Sequence, residues 1–311
     1  MADRHIGHHE GAERGPLLVC IGAMHGNEPA GVRAIELVLK MLDVEPIRNP
    51  GFLYKGRVVG LIGNLQAYGL GKRYMERDLN RSFVADHIRQ LRSQPGPAQH
   101  SEDRELMDLL AHVEQEIADY DPDKIILLDL HTTSSHGGIF TICRDLPADL
   151  ELATALHAPI VLGMLGGLEG TTLHYFTEEN MCRDIIPITF ESGQHEERLA
   201  VNRAVAGILS CMKSIGSVAP DDVENHHEKL LIQYAAPLPE VTELLHIHSL
   251  EAEDGFRMKP GYQNFQALRA GEVVASDEEG PISVAQDCRI LMPLYQAQGE
   301  DGFFLIKDTI R

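Results

Sequence analysis

Apolar positions along the chain follow two alternating rhythms. Residues 16–21, 57–64, 124–130, 138–143, 158–163 and 185–190 are short, nearly continuous apolar runs, with the length and content of buried strands. Between them, apolar residues recur at helical spacing. Val32, Ile35, Leu39 and Leu42 form one such face; Leu106, Leu109, Leu110, Val113 and Ile117 form another; Leu199, Val205, Ile208, Leu209 and Met212 form a third. Residues 147–157 read as a further helix, and Asp121-Pro122 ends the second one. Strands alternating with helices predict an α/β fold, a sandwich with helices on both faces of a central sheet. Residues 65 to 97 show little periodicity and are expected to form a long connection, which in a compact domain is usually functional.

Near Gly216 the rhythm changes. Residues 217–228, with Pro220 and several acidic side chains, read as a linker. Short runs follow at 229–234, 241–250, 266–275, 290–294 and 303–306, punctuated by Gly255, Pro260-Gly261, Gly271, Gly280-Pro281 and Gly299. That pattern predicts a small β-rich unit. The expected organisation is an α/β domain over residues 1–216 and a β-rich domain over 228–311.

Composition narrows the partners. The chain has 311 residues and a formal charge of −20, which argues against nucleic-acid or anionic-membrane binding. An anionic ligand would need a local arginine cluster. Cys20, Cys143, Cys182, Cys211 and Cys288 are widely spaced and form no CxxC pair, so free thiols in a reducing compartment are expected. No run approaches the ~18 apolar residues of a membrane span. Residues 1–14 are polar, with His5, His8 and His9, and read as a frayed tail rather than a signal peptide. The expected location is the cytoplasm.

Four candidate residues follow apolar runs. His25 and Glu28 lie in the turn after the first run, bracketed by Gly22 and Gly26; His131 follows another run and Glu191 a third. Open α/β sheets place their chemistry at such strand ends. Two imidazoles and a carboxylate make a three-ligand zinc set whose fourth position is left for water. Such a metal acidifies the water, and an unligated carboxylate such as Glu191 can take its proton. Asp129, two residues before His131, points to the same side of the strand and can orient that imidazole. Taken singly, each is also a plain turn or surface residue; their shared position after core strands is what separates the two readings. Residues 71–83 add Lys72, Arg73, Arg77 and Arg81 with Asn80, a cluster suited to carboxylate capture. The plainer alternative is a solvated loop in which Glu76 and Asp78 pair with the arginines.

His-Gly-Asn-Glu at 25–28, Arg-Tyr-x-x-x-Asp-Leu-Asn-Arg-x-Phe at 73–83, Asp-Leu-His-Thr-Thr at 129–133 and Glu-x-Gly at 191–193 occur in this order. The set resembles the succinylglutamate desuccinylase/aspartoacylase family of zinc carboxypeptidase-like enzymes, over about residues 17–215. The resemblance implies a zinc-carboxypeptidase-like α/β/α sandwich with a mixed sheet, followed by a smaller β-rich C-terminal domain capping the site. It implies one Zn(2+) per chain on His25, Glu28 and His131, with Glu191 as general base. It implies that Arg73 polarises the scissile carbonyl and that Asn80 and Arg81 grip the substrate carboxylate. The implied reaction is hydrolysis of a small-molecule N-acyl amino acid of the N-succinylglutamate or N-acetylaspartate kind. Two positions depart from aspartoacylases: Met181 stands where they carry a further arginine, with Arg183 two residues on, and Tyr295 is the nearest candidate for a pocket-closing tyrosine. A carboxypeptidase acting on short peptides and a non-catalytic binder of acidic metabolites are the alternatives. Whether the chain forms a homo-oligomer stays open.

Overall fold

A computed structural model describes residues 3–93, 100–222, 225–251 and 255–309. The first strands are β1 (His5–Glu10), β2 (Glu13–Gly22), β3 (Lys55–Ile62) and β4 (Lys124–Thr133). β5 (Phe140–Ile142), β6 (Ile160–Leu162) and β7 (Asp184–Gln194) follow. The C-terminal part adds β8 (Val241–Ser249), β9 (Arg257–Met258), β10 (Ala267–Leu268), β11 (Val273–Asp277), β12 (Gly280–Ser283), β13 (Cys288–Leu291) and β14 (Asp301–Asp308).

One large mixed sheet runs in the order β1-β3-β2-β4-β7-β5-β6-β8-β14-β13-β10. Its centre, β3-β2-β4-β7, is parallel, whereas β5 lies antiparallel to β7. β8 pairs in parallel with β6, so C-terminal strands extend the same sheet. β12, β11 and β9 form a separate small antiparallel sheet.

The period of two along β2 explains the layers. Leu18 and Cys20 face a core that includes Ile35 and Val38 of the helix Ala30–Arg48 and Ala204 and Ile208 of the helix Ala200–Ser214. Leu17, Val19 and Ile21 face the opposite side, against Leu106, Leu109, Leu110 and Val113 of the helix Ser101–Tyr120. A strand apolar on both faces can only be central, and the result is the expected α/β/α sandwich. A third cluster joins Phe140, Ile142 and Val161 to Phe304 and Ile306 of β14, packing the C-terminal strands against the rest.

Several sequence expectations are corrected. The N-terminal residues are not a frayed tail from His5 onward: β1 pairs antiparallel with β3 along the sheet edge. An edge strand buries only part of its surface, so β1 needs no apolar run. Residues 65–93 are not an unstructured connection; they hold the helix Leu65–Leu70, a short 3₁₀ turn Leu79–Arg81 and the helix Ala85–Ser93. Residues 94–97 of that stretch lie outside the described residues, as do 223–224 of the expected linker. Residues 229–234 belong to the helix Asn225–Ala235 and not to a strand; Leu231 is buried, while Ile232 is 46% exposed. β4 and β7 run three or four residues past their apolar runs, because His131–Thr133 and Glu191–Gln194 still pair across the ladder.

Candidate active site

The first half of the site is a turn forced by close packing. At Gly26 an added Cβ would lie 2.1 Å from the carbonyl carbon of Ala67, and at Gly22 it would lie 2.6 Å from the nitrogen of Val32. Only glycine allows backbones to approach this closely. Ala23 between them takes a left-handed φ of 53°. The turn closes with the Glu28 N–H donating to the His25 carbonyl at 3.1 Å. The Gly26 N–H donates to the carbonyl of Arg73 at 3.0 Å, which ties this turn to the arginine segment.

His25, Glu28 and His131 are all buried, and each offers a ligand atom within 4.8 Å of the others. The Glu28 carboxylate sits between the two rings: Oε1 is 2.8 Å from His25 Nδ1 and Oε2 is 3.1 Å from His131 Nδ1. Oε2 also accepts the Thr132 N–H at 2.9 Å. Each ring turns its other nitrogen to a second carboxylate. His25 Nε2 lies 3.1 Å from Asp78 Oδ1, and His131 Nε2 lies 3.1 Å from Asp129 Oδ2. The Asp78 hydrogen bond orients the His25 ring, and Asp129, which accepts the Thr172 hydroxyl at 2.8 Å, stands at ion-pair distance behind His131, the arrangement found behind metal-binding histidines. The donor set therefore fits a zinc ion held through both Nδ1 atoms and Glu28.

Electrostatics follow from burial and neighbours. Burial opposes the charge on Glu28, but His25 and His131 outweigh it and hold the carboxyl well below its usual range. Burial likewise opposes the charge on Asp78, yet His25 and Arg73 keep it well below the carboxylate range. The His131 ring is pushed well up: burial works against its charge, and Asp129 and Glu28 more than compensate. Glu191 differs. Burial dominates, and its carboxyl is raised to about 7. It stands opposite His131 across the β4–β7 ladder, and one of its oxygens has no hydrogen-bond partner.

Arg73 reaches the cluster from the side, with Nη1 3.4 Å from Glu28 Oε1 and Nη2 3.1 Å from Asp78 Oδ2. Asn80 accepts the Thr172 N–H on its Oδ1 at 3.0 Å, and its own N–H donates to Asp78 Oδ1 at 2.8 Å. Arg81 donates to the Asn80 carbonyl at 2.9 Å and pairs with Asp301 at 2.8 Å. All six of these candidates (His25, Glu28, Arg73, Asn80, Arg81 and His131) line one cavity of about 110 Å³ together with Glu191.

The sequence did not single out three contributors. In the sequence Asp78 reads only as a partner for the arginines, but it also supports His25. Glu102 is fully buried and accepts from the N–H groups of Met75, Glu76 and Arg77, the Asn64 amide and the Ser101 hydroxyl. It thereby fixes the segment between Arg73 and Asp78. Gln296 lines the cavity and accepts from Asn27 Nδ2 at 2.8 Å, with His195 Nε2 3.2 Å away. Tyr295 does not close the cavity: its hydroxyl donates to the Lys259 carbonyl at 2.8 Å and accepts the Tyr262 N–H at 2.9 Å. Cys20, Cys143, Cys211 and Cys288 are buried and Cys182 is exposed, and none of the five is in a disulfide.

A mixed-sheet α/β/α fold gathers two imidazoles and two carboxylates at the ends of β2, β4 and β7, with Arg73 reaching in from residues 71–83, and such a constellation is suited to metal-assisted hydrolysis. The model of the succinylglutamate desuccinylase/aspartoacylase catalytic domain matches residues 14–215. The chain belongs to that family. The protein called "Probable aspartoacylase" in Prochlorococcus marinus is 26% identical over 271 residues, covering 82% of this chain and 81% of that one. Succinylglutamate desuccinylase from Vibrio cholerae superposes with a TM-score of 0.64 at 19% identity, over 96% of this chain and 82% of that one. The product-bound ectoine utilization protein of Ruegeria pomeroyi also gives 0.64, at 15% identity, over 96% and 87% of the two chains. Among the described residues no helix is long and apolar enough to cross a membrane.

Proposed function

We propose that the chain is a zinc-dependent hydrolase of small N-acyl amino acids, with His25, Glu28 and His131 holding one zinc ion per chain. The observation that carries this reading is the shared carboxylate: both imidazoles aim Nδ1 at Glu28 while Asp78 and Asp129 back their Nε2 atoms. Bound zinc would supply Lewis acidity, lowering the pKa of a coordinated water and drawing electron density from a carbonyl.

The chain's own residues account for the rest. Glu191 takes a proton from the attacking water as the new C–O bond forms at the amide carbon. It returns that proton to the amide nitrogen as the C–N bond breaks, giving a carboxylate and a free amino acid. A carboxyl raised to about 7 suits both transfers. Arg73 donates to the oxygen on which negative charge develops. Asn80 and Arg81 hold the substrate carboxylate and so fix the amide against Glu191.

Residues Met292, Leu294, Gln296 and Phe304 wall the same cavity, which supports residues 228–311 as a cap that excludes long peptides and disfavours the carboxypeptidase reading. Five cysteines outside any disulfide favour a reducing, cytoplasmic setting. The test is a hydrolysis screen of zinc-loaded protein over N-acetyl, N-formyl and N-succinyl amino acids, with dipeptides alongside. Release of free amino acid from the acyl compounds is expected. Turnover of peptides alone would overturn the reading.

A further inference from the structure

A dicarboxylic substrate needs a cation for its second carboxylate, besides the one that grips the first. Among the described residues that line the cavity, the arginines are Arg73 and Arg81, and there is no lysine. Arg73 is engaged by Glu28 and Asp78, and Arg81 by Asp301. Arg183 directly precedes Asp184, the far end of β7, which lies about 23 Å from Glu191 at ~3.3 Å per strand residue, and pairs with Asp121 at 2.7 Å. Met181 packs against the apolar core that holds Tyr175 and Phe176. Neither reaches the cavity.

Beyond the site residues the lining is apolar, acidic or neutral polar, the last from Thr132, Thr133, Ser134, Thr171, Thr189 and Gln296. Ile142, Met164, Leu165, Leu168, Leu173 and Phe304 form one wall, and Glu300 and Asp301 stand at its edge. This wall adjoins the Asn80–Arg81 turn. Thr172, beside Leu173, donates its N–H to Asn80 at 3.0 Å. Gly170 lies so close that an added Cβ would come within 2.3 Å of the Arg81 carbonyl oxygen. Asp301, which holds Arg81, is three residues before Phe304 on β14. The side chain of an amino acid whose carboxylate rested on Asn80 and Arg81 would have this apolar wall beside it.

We propose that the enzyme selects N-acyl derivatives of amino acids with uncharged, apolar side chains and discriminates against a second carboxylate. The proposal rests on the N-acyl amino acid reading above. A second carboxylate would lose its water against Leu168 and Leu173 with no cation there to pair with and would face Glu300 and Asp301, a costly placement on both counts.

The test compares kcat/KM of the zinc-loaded full chain for the N-acetyl derivatives of L-leucine, L-methionine, L-lysine and L-aspartate, and for N-succinyl-L-glutamate. Leucine and methionine derivatives are expected to exceed the aspartate derivative at least tenfold, mainly through KM. Leu168 is only half-buried, so Leu168→Arg should fold and shift the ratio toward aspartate at least tenfold; Glu300→Gln should shift it the same way, several-fold. A preference for the aspartate, succinylglutamate or lysine compound, or an unchanged ratio in both variants, would overturn the proposal while leaving the hydrolase reading standing. No turnover of any compound would overturn both.

Discussion

His131 on β4 and Glu191 on β7 are direct partners in a parallel ladder. Their side chains emerge on the same side of the sheet, and their separation is set by backbone pairing rather than by a loop. Phe140 of β5 flanks Glu191 from the other side, which contributes to the burial that lifts its carboxyl. A base held this way acts on chemistry and contributes little to metal binding. Glu191→Gln should bind one zinc per chain with unchanged affinity while kcat falls by ~10²–10⁴-fold, the usual range for a positioned general base. Metal analysis and steady-state kinetics on the same preparation check this, and a wild-type rate would rule out the assigned role.

The direction of that shift sets a pH profile. Glu191 acts in its ionised form, and its carboxyl stands at about 7 from burial, with His131 pulling the other way. Added positive charge at the cluster lowers it further. Log kcat/KM should therefore rise with pH along an acid limb whose midpoint lies at or below about 7, then level off. A rate that falls steadily between pH 5 and 8 would contradict the assignment.

Asp78 is tied to His25 at 3.1 Å and to Arg73 at 3.1 Å, so one carboxylate orients a ligand and an oxyanion donor together. Removing its charge with Asp78→Asn should weaken zinc affinity by ~10–100-fold, the usual cost of losing a partner behind a ligand. Zinc competition with a chromophoric chelator measures it. The same variant should also lower kcat, because the Arg73 fork loses its anchor.

Glu102 is the other hidden determinant. Burial opposes its charge, but the Met75 N–H, the Ser101 hydroxyl and the Asn64 amide lower its pKa from the ordinary 4.5. A group with a depressed folded pKa contributes stability above its unfolded value, and that contribution fades as pH falls through the folded value. Glu102→Gln places an amide among N–H donors. It should lower kcat/KM about tenfold or more by loosening the Arg73 segment. Its stability deficit, read from denaturant unfolding, should be full at pH 7 and shrink below about pH 4.5. A deficit that does not change with pH would contradict this account.

Much of this was legible because the central strands are apolar on both faces and the helices have one clean apolar face. The His25 turn was legible because its glycines bracket the two ligands in one short stretch. Other features have no local signature. Glu102 reads as an ordinary acidic residue in the first turn of a helix, and its role appears only when residues 75–77 fold against it. β1, a polar edge strand, carries no continuous apolar run. The helix Asn225–Ala235 reads as a strand in the sequence because Leu230, Leu231 and Ile232 are consecutive, and periodicity does not separate helix from strand in a run that short. Nor does pattern reveal that β8 docks beside β6, since that pairing joins residues some eighty positions apart.

The central claim is that His25, Glu28 and His131 meet around one divalent ion. Titrating metal-free protein with zinc in a calorimeter tests it most directly. The account predicts one tight site per chain, lost in His25→Ala and in His131→Ala, and kept in Glu191→Gln. No tight binding, or a tight site that survives both histidine substitutions, would contradict it.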